Sequence, residues 1–327
     1  MSVDKVLILN GDGIGPSIMS SAKSVLEMTT SPVEILEGDI GRSAYEKTGQ
    51  YLPHDTLDLL DECKFIMCGP TMVPDNGIMP LDTLKVQLDL FARIRYFKNL
   101  APDLGVEDME VTLWSSSNVV SEEITEIQDL DGVTLSKYVK NTAYGRMMSL
   151  ALSDVEIRKL NNIACLTRED FFPISSGMFS ETFDSMFPPE MYTTRHLNVK
   201  DWMMHIIKDP KHDQCILCVD LYNQIVAGVL SGLTGYDHIC PICYMGSDYK
   251  LFNPNHVAVI DGLDEKYANP TSSIMSAAIL LQDFGKKEEY DQIMNALCEA
   301  YRAGERTPDV GGTLSTEEFT QKVISRI

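Results

Sequence analysis

The sequence predicts an α/β fold: a large sheet domain made of residues 1–99 and 237–327, interrupted by a smaller domain over residues 100–236. Three observations predict it. Lys5 to Asn10 read as a short apolar strand, Gly11-Asp12-Gly13-Ile14-Gly15-Pro16 as a turn, and Ile18, Ala22, Val25 and Leu26 recur at helical spacing. A second apolar strand, Phe65 to Cys68, stops at Gly69-Pro70 and precedes a helix-like stretch around Leu84 to Ala92, and strands alternating with helices put helices on the faces of a sheet. Between Ala101 and about Tyr236 the pattern changes, which marks an insertion.

The inserted part opens with polar, Ser-rich sequence from Ser115 to Ser121 and a connection centred on Asp131-Gly132. Helices follow near Ala143 to Leu152 and Lys200 to Ile207. Beyond it, Ala268-Asn269-Pro270-Thr271 starts a strongly apolar helix, Ser272 to Leu281, and Ser315-Thr316-Glu317-Glu318 reads as the capping box of a terminal helix. No repeat or low-complexity tract is present.

Composition narrows the function classes. The 327 residues are 44% hydrophobic, enough for a sizeable core, and no apolar run approaches the roughly 20 residues that span a bilayer. Met1-Ser2-Val3-Asp4 leads directly into the first strand without a secretory or transit pattern. A formal net charge of −21 repels phosphate backbones and anionic membranes, so neither nucleic acid nor direct membrane insertion is expected. Cys215, Cys218, Cys240 and Cys243 form C-x2-C-x21-C-x2-C, a spacing with some pull toward zinc. The first pair, however, sits in an apolar strand-like run that turns its thiols to opposite faces, so reduced buried thiols are expected instead.

Four blocks in order carry a resemblance: Asn10 to Pro16, Leu84 to Arg95, Asp220 to Gly235, and Ala268 to Leu281 followed by Thr307-Pro308-Asp309-Val310-Gly311-Gly312. Together they resemble the patterns PGDGIGP, LRxxLDLYANxRP, NLYGDIxSD and ANPTAxxxSAxxxL of the isocitrate/3-isopropylmalate (β-decarboxylating) dehydrogenases. Among these the chain looks most similar to the non-catalytic regulatory subunits of mitochondrial NAD-dependent isocitrate dehydrogenase. The resemblance implies a dehydrogenase-like fold whose smaller domain makes a dimer interface, a homologous subunit or larger assembly as partner, and the mitochondrial matrix as compartment, with the cytoplasm as the alternative.

It also implies a chemistry: hydride transfer from a 2R-hydroxyl to NAD(P) and loss of CO2, with Mg²⁺ or Mn²⁺ held by three aspartates. In this chain those positions read Gln224, Gly228 and, for the one contributed across the dimer by a VDN segment, Lys200; the lysine base reads Arg168, and the tyrosine acid reads Glu122. An arginine with a pKa above about 12 does not cycle a proton near neutrality. Of the carboxylate clamp, Arg95 remains, Lys85 replaces one arginine and Ser115 another, while Arg93 is new at the family asparagine and reads as half of a surface pair. Lys85, Arg93, Arg95 and Arg168 form a candidate anion site. Gly11, Asp12, Gly13, Ile14 and Asn269 keep a vestige of the cofactor site, but the adenosine loop HGSAPDIAGK gives way to Asn255 to Lys266, with His256 read as a solvated turn residue. The expectation is therefore an inactive, cofactor-free and metal-free chain acting as a structural or regulatory subunit. The alternative is an active NAD-dependent oxidoreductase of a hydroxy acid with metal-independent chemistry.

Overall fold

A computed structural model describes residues 4–327 apart from 31, 32, 76, 141 and 263. The described residues form twelve strands: β1 (Asp4–Leu9), β2 (Val33–Gly38), β3 (Phe65–Cys68), β4 (Ala92–Lys98), β5 (Glu110–Ser116), β6 (Glu122–Gln128), β7 (Val133–Val139), β8 (Asn162–Thr167), β9 (Thr193–Asn198), β10 (Cys215–Cys218), β11 (Ile242–Met245) and β12 (Lys250–Asn253). Ten of them make one sheet in the order β2-β1-β3-β12-β11-β4-β5-β10-β8-β9, and β6 and β7 make a separate hairpin. Both ends of the sheet are parallel, while its middle, β12-β11-β4-β5, is antiparallel. The sheet thus continues from the strands of residues 1–99 and 237–327 straight into those of residues 100–236.

Helices cover its faces: α1 (Gly15–Glu27), α2 (Arg42–Thr48), α3 (His54–Asp58), α4 (Pro80–Gln87), α5 (Asn118–Ser121), α6 (Ala143–Arg158), α7 (Pro173–Met186), α8 (Val199–Lys208), α9 (Asp220–Thr234), α10 (Thr271–Asp283), α11 (Lys287–Arg302) and α12 (Thr316–Ile324). The apolar run foreseen at Ser272 to Leu281 is buried throughout, as a helix lodged between the sheet and other helices requires. The capping box forms, with Ser315 Oγ accepting from the Glu318 amide and Glu318 Oε2 accepting from the Ser315 amide.

One helix differs from its expected course. The stretch Leu84 to Ala92 is divided: α4 ends at Gln87, and Ala92 already belongs to β4. The cause is a left-handed residue, Asp89 at φ 48, around which the Leu90 and Asp89 amides bond back to Lys85 and Val86 carbonyls. This is the Schellman closure of a helix, made here without glycine, and the Asp89 carboxylate bonds Arg146. Its consequence is functional, because Arg93 and Arg95 stand on a central strand and not on a helix.

Candidate functional site

Arg93 and Arg95 are two apart on β4 and therefore share one face of the sheet. Both are buried, at 6% and 4% exposure. Arg93 is not half of a surface pair: its guanidinium bonds Asp220 Oδ1 at 2.6 Å, at the start of α9, and Ser115 Oγ at 3.1 and 3.2 Å on β5. The family pattern has asparagine at both 93 and 220, so two neutral amides have been exchanged together for an ion pair. A charge that deep is tolerated because its partner is equally deep, with side-chain exposures of 7% and 11%.

The network continues. Lys137 on β7 lies 4.0 Å from Asp220 Oδ2 and 2.6 Å from Glu122 Oε2, and Glu122 Oε1 accepts from Ser116 Oγ at 2.9 Å. Glu122, at the family tyrosine position, is enclosed, and burial followed by the charge of Asp220 raises its carboxyl above the ordinary carboxylate range. Lys137 and Tyr144 also line a cavity of about 200 Å³ walled by Leu135, Val139, Phe172 and Leu221. The Tyr144 hydroxyl is buried without a hydrogen-bond partner, and burial raises its pKa. Neither residue stood out in the sequence, because a lysine in an exposed hairpin and a tyrosine in a helix are ordinary there.

Arg95, two residues on, has its own set of partners. Its Nη2 donates to Gln224 Oε1 at 3.0 Å, its Nη1 lies 3.4 Å from Asp237 Oδ1, and its Nε is buried with no partner. Burial, and after it the neighbouring Arg93, lowers its pKa below the usual arginine range. Lys85 completes this side: it is buried over the Tyr244 ring, 3.9 Å from the centroid, and bonds Asp82. Tyr244 is the β11 partner of Arg93.

The other foreseen positions are elsewhere. Arg168 follows β8, three strands from β4, and is tied to Asp170 at 2.9 Å, so the structure does not bring it to Lys85, Arg93 and Arg95. Lys200 sits in the first turn of α8, its amide bonded to Asn198 Oδ1. Gly228 lies on the exposed face of α9, one turn from Gln224, where an added Cβ meets open space. The residues at the metal positions are thus an amide carbonyl already taken by a guanidinium, a glycine and, at the position the resemblance places across the dimer, a lysine. A hard divalent cation needs anionic oxygens converging at about 2.0–2.6 Å, and these residues do not fit it. No cluster of three acidic, histidine or cysteine ligands occurs among the described residues. The cysteine pairs lie on β10 and around β11, with β4 and β5 between them. Burial pushes Cys215 and Cys240 up to about 12.

The glycine loop is packed on its own chain. A Cβ on Gly11 (φ 74) would lie 2.3 Å from the Pro70 oxygen and one on Gly13 (φ 56) 1.9 Å from the Ala258 oxygen, which is why both positions need glycine. Ile14 donates its amide to Ala258, and the Asp12 carboxylate accepts from the amides of Arg42, Ser43 and Met72. Leu263, in the expected adenosine loop, lies outside the described residues. Asn255, His256, Val257 and Ile260 of that loop border a cavity of about 370 Å³ with His238, Asn269 and Asp309 also on its walls. His256 is not a solvated turn residue: it bonds the Asn269 carbonyl at 3.0 Å, and burial, then His238, lowers its pKa to about 4. Asn269 caps α10 through Oδ1 and donates to Asp309 Oδ2, while Asp309 Oδ1 is buried and unpartnered. An acidic acceptor beside a half-apolar cavity fits the ribose hydroxyls of a dinucleotide. Asp237 joins the two regions, touching Arg95 with Oδ1 and accepting from Asn255 with Oδ2 at 2.7 Å.

A family model for isocitrate/isopropylmalate dehydrogenases matches residues 5–323. An isocitrate/homoisocitrate dehydrogenase of Thermus thermophilus is 26% identical over 99% of this chain and 98% of its own. A mitochondrial isocitrate dehydrogenase [NAD] subunit 1 of Ajellomyces capsulatus is 29% identical, covering 98% and 85%. Among solved structures, a β-decarboxylating dehydrogenase of Thermococcus kodakarensis superposes with a TM-score of 0.89 at 21% identity over 99% of this chain and 96% of that one. These findings correct two expectations. Relatives matching nearly the whole chain are named as dehydrogenases, which overturns the reading of an inactive protein, and one bears NAD in its name, which overturns the reading of a cofactor-free one. One of the relatives is mitochondrial and others are bacterial or archaeal. Among the described residues no helix is long and apolar enough to cross a membrane.

Proposed function

The chain belongs to the isocitrate/isopropylmalate dehydrogenase family, and from that premise we propose that it is an NAD-dependent oxidoreductase of a hydroxy acid whose substrate is oriented by the protein's own cations. The observation that carries this reading is Asp237, which touches the Arg95 clamp on one side and the wall of the nucleotide-sized cavity on the other. A carboxylate held by Arg95 and Lys85 therefore lies in the same cleft as a dinucleotide held by Asn269, Asp309 and His256. The dinucleotide supplies the hydride acceptor. Carboxylates at Asp237 and Asp309 on the cavity wall favour free ribose hydroxyls over a 2′-phosphate, hence NAD over NADP.

The chain's own part in the chemistry is proton handling. Lys137 lines the separate cavity beside Tyr144 and bonds Glu122, so a substrate hydroxyl that reaches into that cavity passes its proton to Lys137 Nζ as a lysine proton passes to Glu122 Oε2. A carboxyl raised by burial is suited to hold that proton. Spectrophotometric NAD reduction with a panel of 2-hydroxy acids tests this: turnover with at least one acid, lost in Glu122→Gln, is expected. No reduction with any acid, or full activity in the variant, contradicts it.

We infer also that the chain pairs with a homologous subunit through the β6–β7 hairpin. Ile124, Ile127, Leu130, Val133, Leu135 and Tyr138 are all more than half exposed there, an apolar surface that solvent disfavours. Light scattering after size exclusion should give a dimer or larger; a monomer at micromolar concentration contradicts the inference.

A further inference from the structure

We propose that the face of the sheet opposite Arg93 and Arg95 carries a second ligand site, a cleft between α6 and α11 that takes an organic phosphate monoester with an apolar body. The proposal does not rest on the oxidoreductase reading, since none of the residues that line this cleft belongs to the site described above.

The first observation is where the cleft lies. Side chains alternate along β4, so Tyr96 and Lys98 project from the face opposite Arg93 and Arg95. Arg158, at the end of α6, stands over the Tyr96 ring at 5.9 Å on that same face. Beside it opens a cavity of about 700 Å³, within the range of about 300–1,000 Å³ that small-molecule sites occupy. One wall is the end of α6 with Ile157, Arg158, Lys159 and Leu160, and the other is α11 with Tyr290 and Met294. A ligand seated there would touch both residues 100–236 and residues 237–327.

The second observation is the charge on those walls. Among the described residues they carry four cations, Lys98, Arg158, Lys159 and Lys287, against two carboxylates, Glu110 and Asp291. Lys98 and Arg158 share Glu110, the arginine at 2.8 Å, and Lys287 holds Asp291 at 2.6 Å. Glu110 therefore neutralises only one of its two partners. Lys159, exposed and left-handed at φ 56, has no ion-pair partner among the described residues. The walls thus hold an excess of two positive charges in a protein of net charge −21. Asp154, 3.9 Å from Arg158 Nη1 and off the cavity wall, offsets at most one of them. A phosphate monoester carries about −1.5 to −2 at neutral pH and matches that excess, which a monocarboxylate meets only in part.

The third observation is apolar. Ile157 is 77% exposed, and Leu160, Met294 and the Tyr290 ring line the same cavity. Inorganic phosphate would leave this surface wet, whereas an ester with an apolar ring covers it and gains from its burial.

1-Naphthyl phosphate is the probe, because it is an apolar phosphate monoester with no adenosine for the dinucleotide cavity. Isothermal titration into the full chain at low salt should give saturable binding, about tenfold or more tighter than inorganic phosphate and than neutral 1-naphthol. The double variant Lys159→Glu/Lys287→Glu reverses two exposed charges and should weaken the probe by about tenfold or more, with thermal unfolding as the check that it folds. Hydrogen exchange on the wild type should slow with the probe at residues 157–160 and 287–298. Absence of saturable binding, 1-naphthol bound as tightly as its phosphate, a double variant that binds as the wild type does, or protection confined to other segments overturns the proposal.

Discussion

Asp220→Asn is the most informative single change to the buried network. It keeps the shape of the side chain, restores the amide of the family pattern and removes the counter-ion of Arg93, which sits 2.6 Å away at 7% side-chain exposure. Breaking one half of a buried pair costs about 3–5 kcal/mol, because the remaining charge is left in a medium that solvates it poorly. At about 2.1 cal/mol/K per residue, unfolding 327 residues carries about 0.7 kcal/mol/K of entropy, so Tm should fall by about 4–7 °C. Arg93→Asn alone should cost less, about 2 kcal/mol, because Lys137 stands 4.0 Å from Asp220 and takes over part of its charge. The double variant Arg93→Asn/Asp220→Asn, with an amide on each side, should return to within about 1.5 kcal/mol of wild type, since paired neutral groups replace a buried ion pair at little cost. Urea unfolding of the four proteins gives the coupling energy directly. A value of about 2 kcal/mol or more is expected. Additive single effects, within about 0.5 kcal/mol, would show that Asp220 and Arg93 are independent and would refute the account of their joint exchange.

Three further outcomes follow from the same geometry. Gln224→Asp should gain a charge-assisted bond to Arg95, raising stability by about 1 kcal/mol, while millimolar Mg²⁺ adds nothing to its Tm; a real site with metal at 100 times its Kd would add about 2.7 kcal/mol and be seen at once. Gly228→Asp should leave stability within about 0.5 kcal/mol of wild type by urea unfolding, because the new Cβ meets open space; a loss above about 2 kcal/mol would mean the helix face is packed after all. His256 has a folded-state pKa of about 4 against an ordinary 6.5, so the folded state binds its proton less readily than the unfolded chain does. The stability this confers is complete above about 6.5 and is lost as pH falls toward 4, up to about 3 kcal/mol, and His256→Gln should flatten that part of the pH profile; an unchanged slope would contradict the neutral, buried histidine.

Much of the fold was legible in the sequence, because strands and helices were read from local periodicity and the sheet reads the same signals. The strand at Phe65, the turn at Gly11 to Pro16 and the capping box at Ser315 each carry their cause within a few residues. The helix expected across Leu84 to Ala92 failed where a left-handed aspartate stands in for the usual glycine, which no apolar spacing reveals. The Ser115 to Ser121 run reads as polar and Ser-rich, and in the fold Ser115, Ser116, Ser117 and Ser121 are buried, since small hydroxyls fit close under the arginines and Phe91. The site was legible in parts. Arg93, Arg95, Lys85 and Glu122 were found through their positions in family patterns, whereas Lys137, Tyr144 and Asp237 are significant only because the fold carries the hairpin and the end of α9 to β4. Arg168 reads as one group with Lys85, Arg93 and Arg95 and lies three strands from β4, a separation that sequence order does not encode.

The central claim is that one cleft, joined at Asp237, takes a hydroxy acid and a nicotinamide dinucleotide side by side. Isothermal titration of NADH and NADPH into the wild type and into Asp309→Asn tests it most directly. The account predicts that NADH binds, that NADPH binds at least about tenfold more weakly because its 2′-phosphate meets the carboxylates on the cavity wall, and that Asp309→Asn narrows this difference. Absence of NADH binding, or NADPH bound as tightly as NADH by the wild type, would contradict it.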